Sequence, residues 1–461
     1  MTEPLLWAPH AWLHTGWGER VLLRVGADGC WSEVTPGVAQ PPPGAEVLGG
    51  PLLPGLVDAH SHAFQRAFAG LAERRESEAD DFWSWRERMY RVALRVTPAQ
   101  LRAVAAMLYL ELLDGGYTQV CEFHYLHHDA DGRPYADPLA MSWALADAAA
   151  EVGVGLTLMP VLYERAGFAQ PALRDDQRRF ATTAASVWQM ARAIAASGRP
   201  ALTAGVAIHS LRAAAPASIH ALRRAAADFD GPIHVHAAEQ TAEVDDCIAA
   251  TGARPIEWLA REGLLDARWQ LVHATHALPA EIDAVAASGA GVVICPTTEA
   301  NLGDGLPDLP RWLAAGVPLA VGSDSHVTRD WREELRWLDY GQRLVRRQRN
   351  VAAAPAQGRA STAERLFDAV LRGGAAAAGQ RRWGLQPGAR ADALLADARD
   401  AALTGVPAGR WLDAAVFSSP SRPWAGVLVA GRWAVRGGAH PRREAIVAGF
   451  EAAMHELWCE R

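Results

Sequence analysis

An apolar run that begins at Leu52 ends on polar side chains, Asp58, His60 and His62, in the stretch "PGLVDAHSH". Side chains alternate faces in an extended chain, so the two imidazoles point the same way. Later apolar runs also finish on groups able to do chemistry. Tyr125 closes one, His209 another, His236 and Glu239 a third, His273 a fourth and Asp324 a fifth. Three or so imidazole and carboxylate ligands with one open position suit a divalent ion such as zinc, which lowers the pKa of bound water toward about 7. His60, His62 and Asp324 are candidate ligands, together with one of the two histidines in "HVHAAE". His234 and His236 share a face there, so alternation leaves the choice open. A lone His-x-His is more often a pair of solvated or core histidines. Its coupling to "HVHAAE" and "GSDS" at later strand ends makes that reading the weaker one.

Composition removes other chemistries. The chain of 461 residues contains no lysine, so all 45 basic residues are arginine. Lysine Schiff bases, phosphate-loop lysines and carbamylated-lysine metal bridges are thereby impossible. The net charge of -7 gives no global attraction for nucleic acid or an anionic membrane, and neither is expected as a partner. No uninterrupted apolar run reaches the roughly 18 residues of a membrane span, and the first ten residues do not read as a secretory signal. Five scattered cysteines without a CxxC pair fit a reducing, cytoplasmic setting and leave any metal to histidine and carboxylate.

The elements that must position these groups follow from periodicity. Eight strand-length apolar runs, from "LLPGLVDAH" to "VPLAVGSDS", are mostly separated by alanine-rich stretches of helical spacing. "TPAQLRAVAAMLYLELLDGG" is one such stretch, opening on a threonine cap and closing on glycines. Strand and helix alternating eight times predict an α/β fold, a (β/α)8 TIM-like barrel over 52–384. In such a barrel the C-terminal strand ends face one mouth, where the polar residues collect. "RVLLRV" and "CWSEV" flank the hairpin signal "GADG", and two apolar stretches surround "AGR" near the other end. These segments, 1–51 and 385–440, predict a small β-sandwich-like domain built from both termini, with a C-terminal helix over 441–461. The long interval after the first run predicts a loop around "DDFWSWRERMY".

Taken together, "PGLVDAHSH", "HVHAAE", "LVHATH" and "GSDS" resemble the amidohydrolase superfamily, and the absence of lysine fits its mononuclear deaminase branch. "HSHAFQRAFAG", "DDFWSWRERMY", "EFHYLHHD", "IHSLRA" and "CPTTEANLGDG" are most similar to the formimidoylglutamate deiminases. The resemblance implies hydrolysis of N-formimidoyl-L-glutamate to N-formyl-L-glutamate and ammonia, a step of histidine degradation, by a zinc-dependent homodimer. It places His60, His62, His236 and Asp324 as metal ligands. Asp324 doubles as the base toward water, Glu239 shuttles protons to the substrate nitrogen, and His273 steadies developing charge. Gln65, Arg86, Tyr125, His209 and Arg212 take substrate-holding positions.

That substrate carries two carboxylates, which arginine recognises through its planar fork. Each helper also has a plainer reading. Arg86 lies among Asp80, Asp81 and Glu87, where an arginine is usually a surface ion pair. Arg212 stands at the start of an alanine-rich helix, Tyr125 could plug the barrel rim, and Gln65 could cap a loop. Trp83 and Trp85 could wall the pocket. Two other functions compete: a deaminase of a nucleobase, nucleoside or triazine on the same barrel, and a barrel that has lost catalysis and serves as a scaffold. Flat heterocycles ask for stacking groups more than for paired arginines, and a scaffold has no reason to keep every ligand.

Overall fold

The computed structural model describes residues 4–74 and 82–459, without the side chains of residues 82–84 and 87. Eight parallel strands form the barrel: β1 (Leu56–Ser61), β2 (Tyr117–His124), β3 (Gly155–Leu162), β4 (Val206–Ser210), β5 (Ile233–Ala237), β6 (Trp269–His273), β7 (Gly291–Ile294) and β8 (Leu319–Val321). They pair in chain order. Helices cover the outer face of the sheet while side chains fill its interior, so nearly every strand residue is buried. That is why the sequence shows continuous apolar runs where a half-exposed sheet would alternate. The fourth run is interrupted at Gly205: Leu202–Ala204 pairs with β3 before β4 begins. Helix Pro98–Asp114 starts at Thr97, whose hydroxyl accepts the Gln100 N–H, and ends at Gly115.

Both chain ends contribute to a second sheet. Its order runs from Arg432–Arg436 through Trp424–Val429, Ala393–Ala396, Leu52–Pro54, Leu5–Leu13 and Gly16–Val25 to Trp31–Thr35. Glu46–Val47 adds to the Leu5–Leu13 strand. Only Gly55 separates Leu52–Pro54 from β1, which ties the sheet to the barrel. Trp12 Nε1 donates to Asp368 Oδ1 at 3.1 Å on helix Thr362–Ala377, a second tie.

One expectation fails. The segment around "DDFWSWRERMY" is not a loop: from Phe82 to Ala93 it is helical. Met89, Tyr90 and Ala93 are buried at helical spacing, and that apolar face carries the segment against the barrel. Among the described residues no helix is long and apolar enough to cross a membrane, and the five cysteines are free thiols.

The barrel closes between β1 and β8. The Asp324 N–H donates to the His60 carbonyl at 2.9 Å, and Asp58 accepts both the N–H and the hydroxyl of Ser323 at 2.7 Å. Gly322 makes that approach possible, because a Cβ there falls 2.6 Å from His60 Cβ and 2.8 Å from its backbone N. Substituting Gly322→Ala therefore wedges the seam, and we expect a loss of about 1–3 kcal/mol in urea unfolding. An unchanged midpoint contradicts this packing.

Candidate active site

The C-terminal ends of β1, β5, β6 and β8 bring their polar side chains to one point. His60 Nε2 lies 3.1 Å from His62 Nε2 and 3.0 Å from His236 Nε2. Asp324 Oδ1 is 3.3 Å from His62 Nε2 and 3.5 Å from His60 Nε2. Two of the three rings have their other nitrogen committed to a backbone carbonyl: His62 Nδ1 to Phe123 at 3.0 Å and His236 Nδ1 to His209 at 2.8 Å. The Nδ1–H groups donate there, so the Nε2 lone pairs point inward. Burial, followed by the repulsion of neighbouring imidazoles, holds His60 and His236 well below the ordinary histidine range; burial also lowers His62. Neutral imidazoles aimed at one another repel unless a cation sits between them. Three nitrogens and a carboxylate oxygen are a donor set for a divalent transition metal, and these residues fit one. His234 also points into the barrel, as alternation requires, but one layer deeper, where its Nε2 meets the Ala377 carbonyl at 2.8 Å.

His273 and Glu239 stand beside this cluster. His273 Nε2 is 3.6 Å from Glu239 Oε1 and 3.8 Å from Asp324 Oδ2, and its Nδ1 is 3.3 Å from Glu299 Oε1. Burial opposes charge on His273, but Glu239, Glu299 and Asp324 outweigh it and lift the imidazole to about 10. Burial raises the Glu239 carboxyl to about 7 against the opposing pull of His273. A carboxyl near 7 exchanges protons in both directions at neutral pH. The chain bends sharply at these positions. Ala238, His273, Ala274, Asp324 and His326 have φ between 46° and 67°, the left-handed region that residues other than glycine avoid. Such backbone strain concentrates where function fixes a side chain against local preference.

All five candidate substrate-holding residues line one cavity with this cluster. Gln65 Nε2 donates to Tyr125 Oη at 3.1 Å, and His209 packs against Tyr163 with ring centroids 4.5 Å apart. Arg86 and Arg212 enter the cavity from different elements, and the like charge of Arg212 adds to burial in lowering Arg86. Arg212 is buried and lies in the turn after β4, not in a helix: the next helix starts at Pro216, which suits a first helical position. Trp85 also lines the cavity. Asp80, Asp81 and the side chains of Trp83 and Glu87 lie outside the described residues.

Several residues outside the predicted site support it from behind. Buried Glu122 accepts from Ser61 Oγ at 2.8 Å and the Ala63 N–H at 2.7 Å, clamping the turn after His62. His326 Nε2 donates to the His62 carbonyl at 3.0 Å. Glu243 receives the N–H groups of Ala238 and Glu239, which fixes the loop after β5. Burial raises Asp58 to about 7 and Glu122 to about 8. The sequence cues were Asp58, an acid inside an apolar run, Glu122 within "EFHYLHHD" and His326 close to a strand end, whereas Glu243 had none.

Comparison with known proteins agrees with this geometry. Residues 52–434 match the model of the amidohydrolase family. The chain is 45% identical over 453 residues to a formimidoylglutamate deiminase of Pseudomonas aeruginosa, spanning 98% of this chain and 99% of that protein. An amidohydrolase from Brucella melitensis superposes with a TM-score of 0.93 at 41% identity, covering 99% of this chain and 100% of that one. An adenosine deaminase from Xanthomonas campestris solved with bound zinc shares the fold at a TM-score of 0.79 and 22% identity, over 99% and 98% of the two chains. A mouth of converging histidines on this barrel, and a family match over most of the chain, lead to one statement: the protein belongs to the amidohydrolase family.

Proposed function

We propose that the protein is a formimidoylglutamate deiminase, converting N-formimidoyl-L-glutamate and water to N-formyl-L-glutamate and ammonia in histidine degradation. The observation that carries this reading is the presence of two guanidinium groups, Arg86 and Arg212, in the same cavity as the histidine cluster and Glu239. A substrate with an amidine carbon at one end and two carboxylates at the other matches that division of charge. The relative of 45% identity bears the same activity in its name. A neutral nucleobase offers no carboxylate for the two guanidinium groups to grip.

Zinc is the ion we assign to His60, His62, His236 and Asp324, on the strength of a donor set of three nitrogens and one oxygen. When bound there it supplies Lewis-acid activation of water at neutral pH. The protein's own groups do the rest. Asp324 takes a proton from the attacking water as its oxygen joins the amidine carbon. Glu239 delivers a proton to the departing nitrogen, so that the carbon–nitrogen bond breaks with loss of ammonia and not of amide anion. His273, held by Glu299 from behind, offsets negative charge that develops between them. Arg86 and Arg212 bind the carboxylates, and Gln65, Tyr125 and His209 fix the chain that joins them to the amidine. Five free cysteines support a cytoplasmic setting, and the resemblance implies a homodimer.

Ammonia release from N-formimidoyl-L-glutamate is expected, with guanine and adenosine inert; turnover of the heterocycles alone overturns the assignment. Glu239→Gln should lower kcat by about 100-fold or more with little change in binding, because the amide cannot deliver the proton. An equal kcat removes Glu239 from that role. Replacing Arg212→Lys exchanges a bidentate fork for a point charge, and KM should rise about tenfold with kcat nearly constant. An unchanged KM takes Arg212 out of substrate binding.

A further inference from the structure

Two tyrosines line the same cavity as the arginines: Tyr90 on helix Phe82–Ala93 and Tyr163 just past β3. A single side chain engages both from behind. Gln177, in the short 3-10 turn Asp175–Phe180, places its Nε2 at 2.9 Å from Tyr163 Oη and 3.3 Å from Tyr90 Oη. The amide has only one sensible orientation, because its oxygen accepts the Arg174 N–H at 3.1 Å. Gln177 therefore donates one N–H to each phenol oxygen, and both phenols act as acceptors toward it.

That leaves two phenolic protons to place. Both hydroxyls stand on the cavity wall with the same amide behind them, and the cavity is where their protons can go. Burial pushes the Tyr163 hydroxyl above the usual phenol range, so it keeps its proton. Phe180, at the end of the same turn, holds the pair rigid: its ring centroid lies 5.6 Å from Tyr90 and 5.4 Å from Tyr163. Gln177 itself is fully buried.

We propose that the Tyr90–Tyr163 pair, oriented by Gln177, donates a hydrogen bond to one substrate carboxylate beside the two arginines and so selects a diacid. This rests on the deiminase reading and deepens it. Gln177 is the positioning residue: it never meets substrate, but it fixes which way both hydroxyls point. A donor flanked by two cations accepts a carboxylate and rejects a carboxamide, whose N–H groups meet only further donors.

The test compares N-formimidoyl-L-glutamate with its α-amide and its γ-amide. In the double variant Tyr90→Phe/Tyr163→Phe, KM for the diacid should rise about 10- to 100-fold, with kcat within about threefold, as for loss of a hydrogen bond to a charged group. With one of the two amides the penalty should shrink to within about twofold, because the carboxylate it served is gone. The isosteric Gln177→Glu reverses the hydrogen bonds, drawing the phenolic protons backward, and should raise KM for the diacid in the same way. A penalty equal on all three substrates, or none on any, overturns the proposal. Wild-type inactivity on the diacid sinks the deiminase reading instead. Calorimetry then tests the tyrosines by themselves: the double variant should bind glutarate at least tenfold more weakly and butyrate within twofold, and equal effects on the two acids reject the pair as a carboxylate donor.

Discussion

An imidazole nitrogen of His60 held within about 3 Å of those of both His62 and His236 is an arrangement that a protein does not keep for its own sake. His60, His62 and His236 come from two strands that are not neighbours in the barrel, and two backbone carbonyls fix the direction of two of the rings. The lone pairs repel, and only a cation at their centre turns that repulsion into binding. The rest of the site follows from this constraint. The barrel must close tightly enough to bring Asp324 to the first strand, and Gly322 and the Asp58–Ser323 contacts are what allow that closure.

The constraint also explains where the chain is strained. The backbone beyond β6 and β8 turns through left-handed conformations at His273 and Asp324. Each such residue costs on the order of 1–3 kcal/mol, which the surrounding hydrogen bonds and packing must offset. Glu122, Glu243 and Glu299 are buried acceptors behind the strand ends of β1, β5 and β6 respectively. Their work is positional, and it links the stability of the mouth to its chemistry. On the far side of the cavity the Asp175–Phe180 turn plays a similar part, with Gln177 and Phe180 setting the tyrosines that face the arginines.

Much of this was legible in the sequence, for a physical reason. A parallel strand buried on both faces must be apolar throughout, so a histidine at its end stands out, and eight such runs made the barrel visible. The hairpin around "GADG" and the Thr97 cap were read from turn and cap chemistry that acts locally. What stayed hidden depends on distant contacts. Alternation could not separate His234 from His236, because both point inward and differ only in depth. The stretch "DDFWSWRERMY" reads as a loop because it falls in the longest interval between apolar runs, and the burial of Met89, Tyr90 and Ala93 that makes Phe82–Ala93 a helix is a tertiary effect. Gln177 and Glu243 carry no motif; their meaning comes from what folds against them.

Anomalous diffraction from crystals of the purified protein, recorded across the absorption edge of the bound metal, tests the central claim most directly. A single strong peak is expected, about 2.0–2.2 Å from the Nε2 atoms of His60, His62 and His236 and from a carboxylate oxygen of Asp324. A peak centred on other ligands contradicts it, and so does an active, metal-free protein in which the same imidazoles keep their places.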